Sequence, residues 1–345
     1  MDAVIERCAG LDVHQALVVA TVRLPEAGGR ASVTETFSTC TASLLALRDW
    51  LQALGVTHVA MESTGVYWKP IYYVLEESFT LLLVNMRHLD HVPGRKSDVQ
   101  DSEWLAQLLE CSLLRASFVP PRPMRDLRDL IRYRRKQVQE RTREVNRLHR
   151  VLEDAGIKLA TVATDVMGLS GRAMMDALLK GTTDPMVLAD LARGKLRAKL
   201  PALREALRGR FRVHHAFLLG QILAKVDFLE EAMAGLTTEI DRQLAPYEPV
   251  LARLDTIPGV DRRNATTLLV ETAGDMTAFA TAAHLCSWGG LCPGQEESAG
   301  KRRSGRTRKG NPLGESARQA DQRPPHDPRH TRPAWRCRGQ CHRAP

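Results

Sequence analysis

Residues 7–24, RCAGLDVHQALVVATVRL, contain two short β-rich runs, one at residues 11–13 and one at residues 17–24. They are close enough in sequence to form a hairpin. Four further segments follow: the helical TASLLALRDWLQALG, the buried-strand run THVAMEST, the amphipathic VYWKPIYYVLEE and the apolar strand FTLLLVN. The order strand, strand, helix, strand, helix, strand predicts an α/β layered domain with a mixed sheet.

The composition is that of a soluble globular protein. With 345 residues, 43% of them hydrophobic, the chain is long enough for two domains with their own cores. Its longest apolar runs are far shorter than the ~20 residues of a membrane span, and the N-terminus lacks the layout of a signal peptide. Seven scattered cysteines indicate reduced thiols. We therefore expect a cytoplasmic protein without membrane association.

The charge balance favours a polyanionic partner. Lys and Arg outnumber Asp and Glu by 49 to 40, a net charge of +9. The excess is concentrated in two segments. Residues 122–150 contain eleven Lys or Arg against four Asp or Glu, and residues 301–310 contain six Lys or Arg and no acid. The second segment has the composition of a loop that binds phosphates.

The first basic segment lies in a predicted long helix, from Met124 to about Ala155. Its narrow apolar seam consists of Leu127, Leu130, Ile131, Val138, Val145, Leu148 and Leu152. Its basic side chains, among them Arg132, Arg134, Arg135 and Lys136, form either a nucleic-acid-binding surface or the solvated face of a coiled coil. Residues 156–245 continue as largely helical sequence.

Two aspartates stand at the start of another predicted helix, in SDVQDSEWLAQLL. Ser97 and Gln100 form a capping box that starts a helix running to about Leu114 and places Asp98 and Asp101 in its first turn. Acidic residues in a first turn are stabilised by the helix dipole, so this pair alone does not establish a site.

Two more acids lie on predicted strands. Asp12 lies within the first strand, and Glu62 closes THVAMEST. An acid inside a buried strand is costly unless it is paired or coordinated, although either could be a solvent-facing edge residue. This order along the chain can bring the four carboxylates of Asp12, Glu62, Asp98 and Asp101 together. Such a cluster requires a cation, and oxygen ligands favour Mg²⁺ or Mn²⁺.

Several motifs, in order from about residue 8 to Pro312, resemble the DEDD transposases of the insertion-sequence one-ten family, relatives of the Piv invertase. They are GLDVHQ, AMESTGVYW, PGRKSDVQDSEWLAQLL, LLRASFVPP, IPGV, LCSWGGLCPG and ESAGKRRSGRTRKGN. The resemblance implies a RuvC-like N-terminal domain with an RNase H-like fold (residues 1–121). A helical coiled-coil region (122–245) and a mainly α C-terminal transposase domain (246–312) would follow.

The resemblance also implies roles for individual residues. The family's acidic, metal-binding tetrad matches Asp12, Glu62, Asp98 and Asp101, and its serine nucleophile matches Ser298, with Ser304 as the competing position. The basic loop of Lys301, Arg302, Arg303, Arg306, Arg308 and Lys309 would contact DNA. The implied partners are DNA, a guide RNA called a bridge RNA, and further copies of the chain in a dimer or tetramer with composite active sites.

Residues 313–345 depart from the family pattern. They contain seven Arg and five Pro but one aliphatic core residue, Leu313. We expect a disordered tail, read in a shifted frame, after a truncated C-terminal domain whose activity is weakened or lost. The alternatives to a recombinase are a RuvC-like junction endonuclease, in which water attacks, and an inactive nucleic-acid-binding remnant.

Overall fold

The computed structural model describes residues 4–62, 65–84, 98–277, 279–290, 296–298 and 301–304. For residues 98–100, 296–298 and 301–304 the description is of the backbone. The chain divides into two compact units, Met1–Val119 and Pro120–Pro345. Within the described ranges, no helix is both long enough and apolar enough to cross a membrane.

The first unit is built on a five-stranded sheet with the order β3-β2-β1-β4-β5. Its strands are β1 Cys8–Val13, β2 Leu17–Glu26, β3 Gly29–Ser38, β4 His58–Glu62 and β5 Thr80–Val84. β1 is antiparallel to β2 and parallel to β4, and β4 is parallel to β5, so the sheet is mixed as the sequence predicts. The helices are α1 Thr41–Ala53, α2 Trp68–Leu75 and α3 Asp98–Glu110.

Alternation along the strands separates two cores. Leu11 and Met61 face one way and join the cluster of apolar side chains contributed by α1 and α2. Cys8 and Ala60 face the other way and pack with Leu105 and other residues of α3. The sheet is therefore covered by α1 and α2 on one face and by α3 on the other.

Two details of this unit differ from the sequence prediction. β3 is an additional strand that was not predicted, because it is a mostly exposed edge strand without an apolar face. The helix expected to run to about Leu114 ends at Glu110 instead. Ser112 adopts a left-handed φ of 56°. The N–H of Ser112 donates to Leu109 O, and the N–H of Leu113 donates to Leu108 O, so these two bonds end the helix. The predicted cap, Ser97, lies outside the described residues.

The second unit is mostly helical. Its elements are α4 Arg122–Asp154, α5 Leu159–Val162, α6 Leu169–Leu179, α7 Pro185–Asp190, α8 Leu200–Ala206, α9 Val213–Leu244, α10 Glu248–Asp255, α11 Arg262–Thr272, α12 Ala282–Trp288, β6 Glu296–Ser298 and β7 Lys301–Ser304. α4 and α9 are the long helices of this unit and pack against each other. One core cluster lies around Leu148 and Leu219, and a second lies around Leu127 and Ile240.

Polar side chains form the contact between α4 and α9 in the stretch that separates the two core clusters. Arg134 Nε donates to Thr237 Oγ1 (2.8 Å), and Arg141 pairs with Glu230 (2.6 Å). Glu144, 5% exposed at its side chain, pairs with Lys225 at 2.7 Å. Val138 was predicted to lie in the apolar seam, and this was wrong: it is 40% exposed, because the helix turns Gln137 and Glu144 inward at this level.

α10 and α11 are joined by the segment IPGV. The N–H of Val260 donates to Ile257 O (3.0 Å), and Gly259 has φ +84°. Pro at the second turn position and a left-handed glycine at the third are typical of a type II turn. Asp261 then caps α11 by accepting from Asn264 N–H (2.8 Å).

Candidate active site

Gly10 in β1 sets how closely α3 approaches the sheet. A Cβ at this position would lie 2.2 Å from Ser102 O and 2.5 Å from Ala106 N, both backbone atoms of α3. Thr21, the β2 partner of Gly10, forms a hydroxyl–hydroxyl hydrogen bond with Ser102 (2.7 Å). The helix is therefore fixed directly over the middle of β1.

α3 runs antiparallel to β1. At its C-terminal end, Glu110 O accepts from the N–H groups of Val4 and Ile5, just before β1 begins. The Glu110 carboxylate pairs with Arg23 and with Arg30 (2.9 Å for the latter), on the neighbouring strands. The N-terminus of α3 consequently lies towards the end of β1 that carries Asp12.

Asp12 and Glu62 stand side by side on the face that α3 covers. β1 and β4 are paired in parallel with Leu11 opposite Met61, so the next residues along the two strands are Asp12 and Glu62. Side chains two residues apart on a strand share a face, which puts Asp12 with Gly10 and Glu62 with Ala60, on the α3 side. Neighbouring strands are about 4.8 Å apart, so the Asp12 and Glu62 side chains leave the sheet next to each other.

Asp101 approaches the same place from α3. It lies four residues before Leu105, which is buried against the sheet, and residues at this spacing share a helix face. From the point where α3 crosses Gly10, Asp101 and Asp98 lie about 5 and 9 Å further along the helix axis. Asp12 lies about 7 Å further along β1. Asp98 is the first residue of α3, and its side chain lies outside the described residues.

His14 is a neighbour of Asp12 that the sequence analysis missed. Its Nε2 lies 3.0 Å from Asp12 Oδ2, and the Asp12 side chain is only 12% exposed. The spacing Asp-x-His across the end of β1 was the available signal. The imidazole is placed to orient the carboxylate, as groups around metal ligands commonly do.

The donor types suit a divalent metal ion, although the described carboxylates of Asp12, Glu62 and Asp101 do not form a group whose oxygens all lie within 4.8 Å of one another. The site offers carboxylate oxygens from two adjacent strands and from the start of a helix, all on one side of the sheet. Oxygen-only donors favour Mg²⁺ or Mn²⁺ over metals that prefer sulfur or imidazole.

The predicted nucleophile and its competitor occupy opposite ends of one hairpin. Ser298 ends β6 and pairs with Lys301, next to the turn, whereas Ser304 ends β7 and pairs with Glu296. Lys301, Arg302 and Arg303 lie on β7. The side chains of these residues lie outside the described part of the chain, as do Arg306, Arg308 and Lys309 altogether.

The predicted basic face of α4 is partly committed to internal contacts. Both oxygens of Glu271, whose side chain is 4% exposed, accept from Arg132 at 3.1 Å, and Arg128 pairs with the same carboxylate at 3.2 Å. Burial lowers the pKa of Arg128, against the opposing effect of Glu271. Arg134 is bonded to Thr237, Arg135 is half-buried, and Lys136 is exposed. Through its bonds to Glu271, Arg132 holds α11 against α4.

A separate group of metal-ligand types lies in the second unit, formed by Asp154, His214 and His215. The Nδ1 atom of His215 accepts from Arg212 N–H (3.0 Å), and its Nε2 atom is 2.8 Å from Asp154 Oδ2. Both ring nitrogens of His215 are thus used to fasten the start of α9 to the end of α4. Metal binding there would break one of these bonds.

Comparison with known proteins agrees with the resemblance. Residues 9–157, which include Asp12, Glu62, Asp98 and Asp101, match the IS110-type DEDD model, described as "Transposase". Residues 251–317 match the model described as "Transposase IS116/IS110/IS902 family", and the two matches together span more than half of the chain. The chain belongs to the IS110 family of transposases.

A relative of this IS110-family chain is the "Insertion element IS110 uncharacterized 43.6 kDa protein" of Streptomyces coelicolor. The two are 43% identical over 72 residues, which is 20% of this chain and 17% of the relative. The match therefore spans less than a fifth of the relative's length. This likeness agrees with the family assignment.

Proposed function

We propose that this chain is a DNA transposase or site-specific recombinase that cuts and rejoins phosphodiesters, with its acidic tetrad in the first unit and a serine nucleophile in the second. The observation that carries the proposal is the parallel register of β1 and β4, which sets Asp12 beside Glu62 on the face covered by α3. Family membership supplies the reaction class.

The tetrad's role in this scheme is to hold divalent metal ions. Asp12 and Glu62 provide ligands from the strands, and Asp98 and Asp101 provide them from α3. When bound, Mg²⁺ or Mn²⁺ supplies positive charge that stabilises the oxygens of the phosphate undergoing transfer. Gly10, Thr21 and Ser102 keep α3 at the distance from β1 that this geometry requires.

Ser298 is proposed as the nucleophile, on the strength of the family resemblance. Its Oγ would lose its proton and form a bond to the DNA phosphorus as the phosphorus–oxygen bond of one strand breaks. The departing strand oxygen would take up a proton and leave as a free hydroxyl end, and a covalent protein–DNA intermediate would remain. Lys301, Arg302 and Arg303 on the adjoining strand would neutralise the flanking phosphates. We further propose that the serine and the tetrad in each active site come from different copies of the chain.

The proposed partners are DNA and a guide RNA. Sequence choice by base pairing would leave the protein to hold nucleic-acid backbones, a task that suits the basic segments at 122–150 and 301–310. Competition with salt would reveal this mode of binding, because each phosphate contact releases counterions.

The function is tested on a supercoiled plasmid that carries the element's flanking DNA, with Mg²⁺ and RNA transcribed from the same region. Asp12→Asn should abolish strand cleavage, whereas Asp49→Asn, which changes an exposed acid on α1 of the same unit, should not. If both variants lose cleavage, or if both retain it, the proposed catalytic role of the tetrad is contradicted.

The two serines provide a matched pair for the second element of the scheme. Ser298→Ala should eliminate the covalent protein–DNA species on a denaturing gel, and Ser304→Ala, at the other end of the same hairpin, should retain it. The reverse pattern would assign Ser304 instead. Cleavage without any covalent species in the wild type would indicate a junction endonuclease in which water attacks. Salt-sensitive binding without cleavage would indicate an inactive remnant.

A further inference from the structure

A cavity of about 430 Å³ lies in the second unit between α4, α9 and α11. Its floor is aliphatic and includes Ile131, Ile240 and Leu244, which also belong to the cluster around Leu127. Sites for small molecules typically enclose 300–1,000 Å³, so this cavity is the size for one compact ligand. A duplex or a helix could not enter it.

The rim of the cavity carries arginines from two helices. Arg134 of α4 donates from Nε to Thr237 Oγ1 (2.8 Å), which holds its guanidinium at the edge of the cavity. Arg262 of α11 is paired through both Nη atoms with Glu248 (2.6 and 2.7 Å), so its charge is compensated. Arg263, the next residue, is exposed at the rim. Such a rim favours an anionic group, and guanidinium groups suit phosphate in particular.

An acidic residue in the cavity lining limits further which class of ligand can bind. Asp241 of α9 contributes to the cavity wall and is exposed there. A carboxylate repels a simple anion but accepts hydrogen bonds from amino and ring N–H groups, as it does from the exocyclic amine of cytosine. The lining thus combines donors for a phosphate, an acceptor for N–H groups and an apolar surface for a flat ring.

From this combination we infer that the cavity takes one unpaired nucleotide of a DNA or RNA strand. Its phosphate would bind Arg134 and Arg263, and its base would lie on the aliphatic floor within reach of Asp241. The nucleotide must be unpaired, because a base stacked inside a duplex cannot reach the floor of a concave cavity. The inference rests on the proposed function in one respect, that the chain binds nucleic acid.

Binding is tested with the full-length chain in the absence of divalent ions, so that no strand is cut. The probes are a fluorescent DNA duplex, the same duplex with one bulged nucleotide, and the two corresponding RNAs. The bulged probes should bind about tenfold more tightly than the paired ones, because only a bulged base can bury its ring against the aliphatic floor. If the preference for the bulge appears with the DNA probes, the nucleotide comes from DNA; if it appears with the RNA probes, it comes from RNA.

Two substitutions fill the cavity from opposite walls. Val138→Trp, at an exposed position of α4, and Thr267→Trp, on α11, should remove the preference for the bulge while leaving affinity for paired probes unchanged. Arg134→Ala combined with Arg263→Ala should also lower affinity for bulged probes. Arg143→Ala, which removes an exposed charge of α4 away from the cavity, should leave the preference intact.

A photoreactive base at the bulge provides a second readout. It should crosslink to peptides from α9 or α11 that line the cavity, and crosslinks elsewhere would overturn the inference. Equal affinity for bulged and paired probes, or a preference that survives both tryptophan variants, would overturn it as well. Asp12→Asn should not affect the crosslink, so this test and the test of catalysis fail independently.

Discussion

Substituting Gly10 by alanine is expected to separate α3 from β1 and to damage both stability and catalysis. The new Cβ would stand 2.2 Å from Ser102 O, whereas real Cβ atoms essentially never come within 3.0 Å of such neighbours. Both contacting atoms belong to the α3 backbone, so a side-chain rotation cannot relieve the clash. The helix must withdraw by about 1 Å, because packed interiors have no spare volume.

The cost follows from that displacement. Overfilling a packed interior destabilises by about 1–3 kcal/mol. The hydrogen bond between Thr21 and Ser102 would add about 1 kcal/mol if it is lost. We therefore expect the free energy of unfolding to fall by about 2–4 kcal/mol. The same displacement carries Asp98 and Asp101 away from Asp12 and Glu62, and a misplacement of ~1 Å can cost about a hundredfold in rate.

The assay combines urea unfolding, followed by circular dichroism, with Mg²⁺-dependent cleavage of the plasmid substrate. Gly29→Ala is the matched control, because it lies in the same sheet and a Cβ there meets nothing within 4 Å. A Gly10→Ala variant with the stability and cleavage rate of the Gly29→Ala variant would show that α3 is not seated over β1. The proposed metal site would then lose its geometric basis.

Three further outcomes are expected. Mn²⁺ at a hundredfold excess over its dissociation constant should stabilise the wild type by about 2.7 kcal/mol, seen as a raised melting temperature, and Asp12→Asn should lose that shift while Asp49→Asn keeps it. Glu271→Gln should destabilise the second unit by about 3 kcal/mol in urea, because it leaves Arg128 without its buried counter-charge; a change below 1 kcal/mol would contradict this. Hydrogen bonds from Lys225 and Arg147 hold the pKa of Glu144 below its ordinary 4.5, so its stabilisation is present above that pH and is lost on acidification. Glu144→Gln should accordingly be less stable at neutral pH but lose less stability below pH 4.5, and parallel pH profiles would refute that pairing.

Much of the first unit could be predicted from local patterns. α1 ends near Gly55, and the strands of Leu11, Met61 and Leu83 are short apolar runs between turn signals. β3 could not be found in this way, since its residues are largely exposed and its strand conformation depends on pairing with β2. Val138 was misplaced because periodicity cannot show that α4 buries Gln137 and Glu144 against a polar stretch of α9.

The candidate site was only partly accessible from the sequence. The order of the acids predicts a cluster, and the family resemblance implies which four residues form it; both stay predictions. That Asp12 lies beside Glu62 depends on the pairing of β1 with β4, which are separated by two strands and a helix in the chain. The role of Gly10 is likewise non-local, because Ser102 and Ala106 approach it from far along the sequence.

The pairing of β1 with β4 also determines where the gene can gain or lose a codon without moving the Glu62 carboxylate. Removing or adding one residue between Val59 and Glu62 would turn the Glu62 carboxylate to the face occupied by α1 and α2. The turn of Ala27 and Gly28, which joins β2 to the edge strand β3 and where a Cβ at Gly28 meets nothing, could absorb an inserted codon. Single-codon insertions and deletions should therefore accumulate at that turn in inherited copies of the element that stay active, and be absent from the short strand that ends in Glu62.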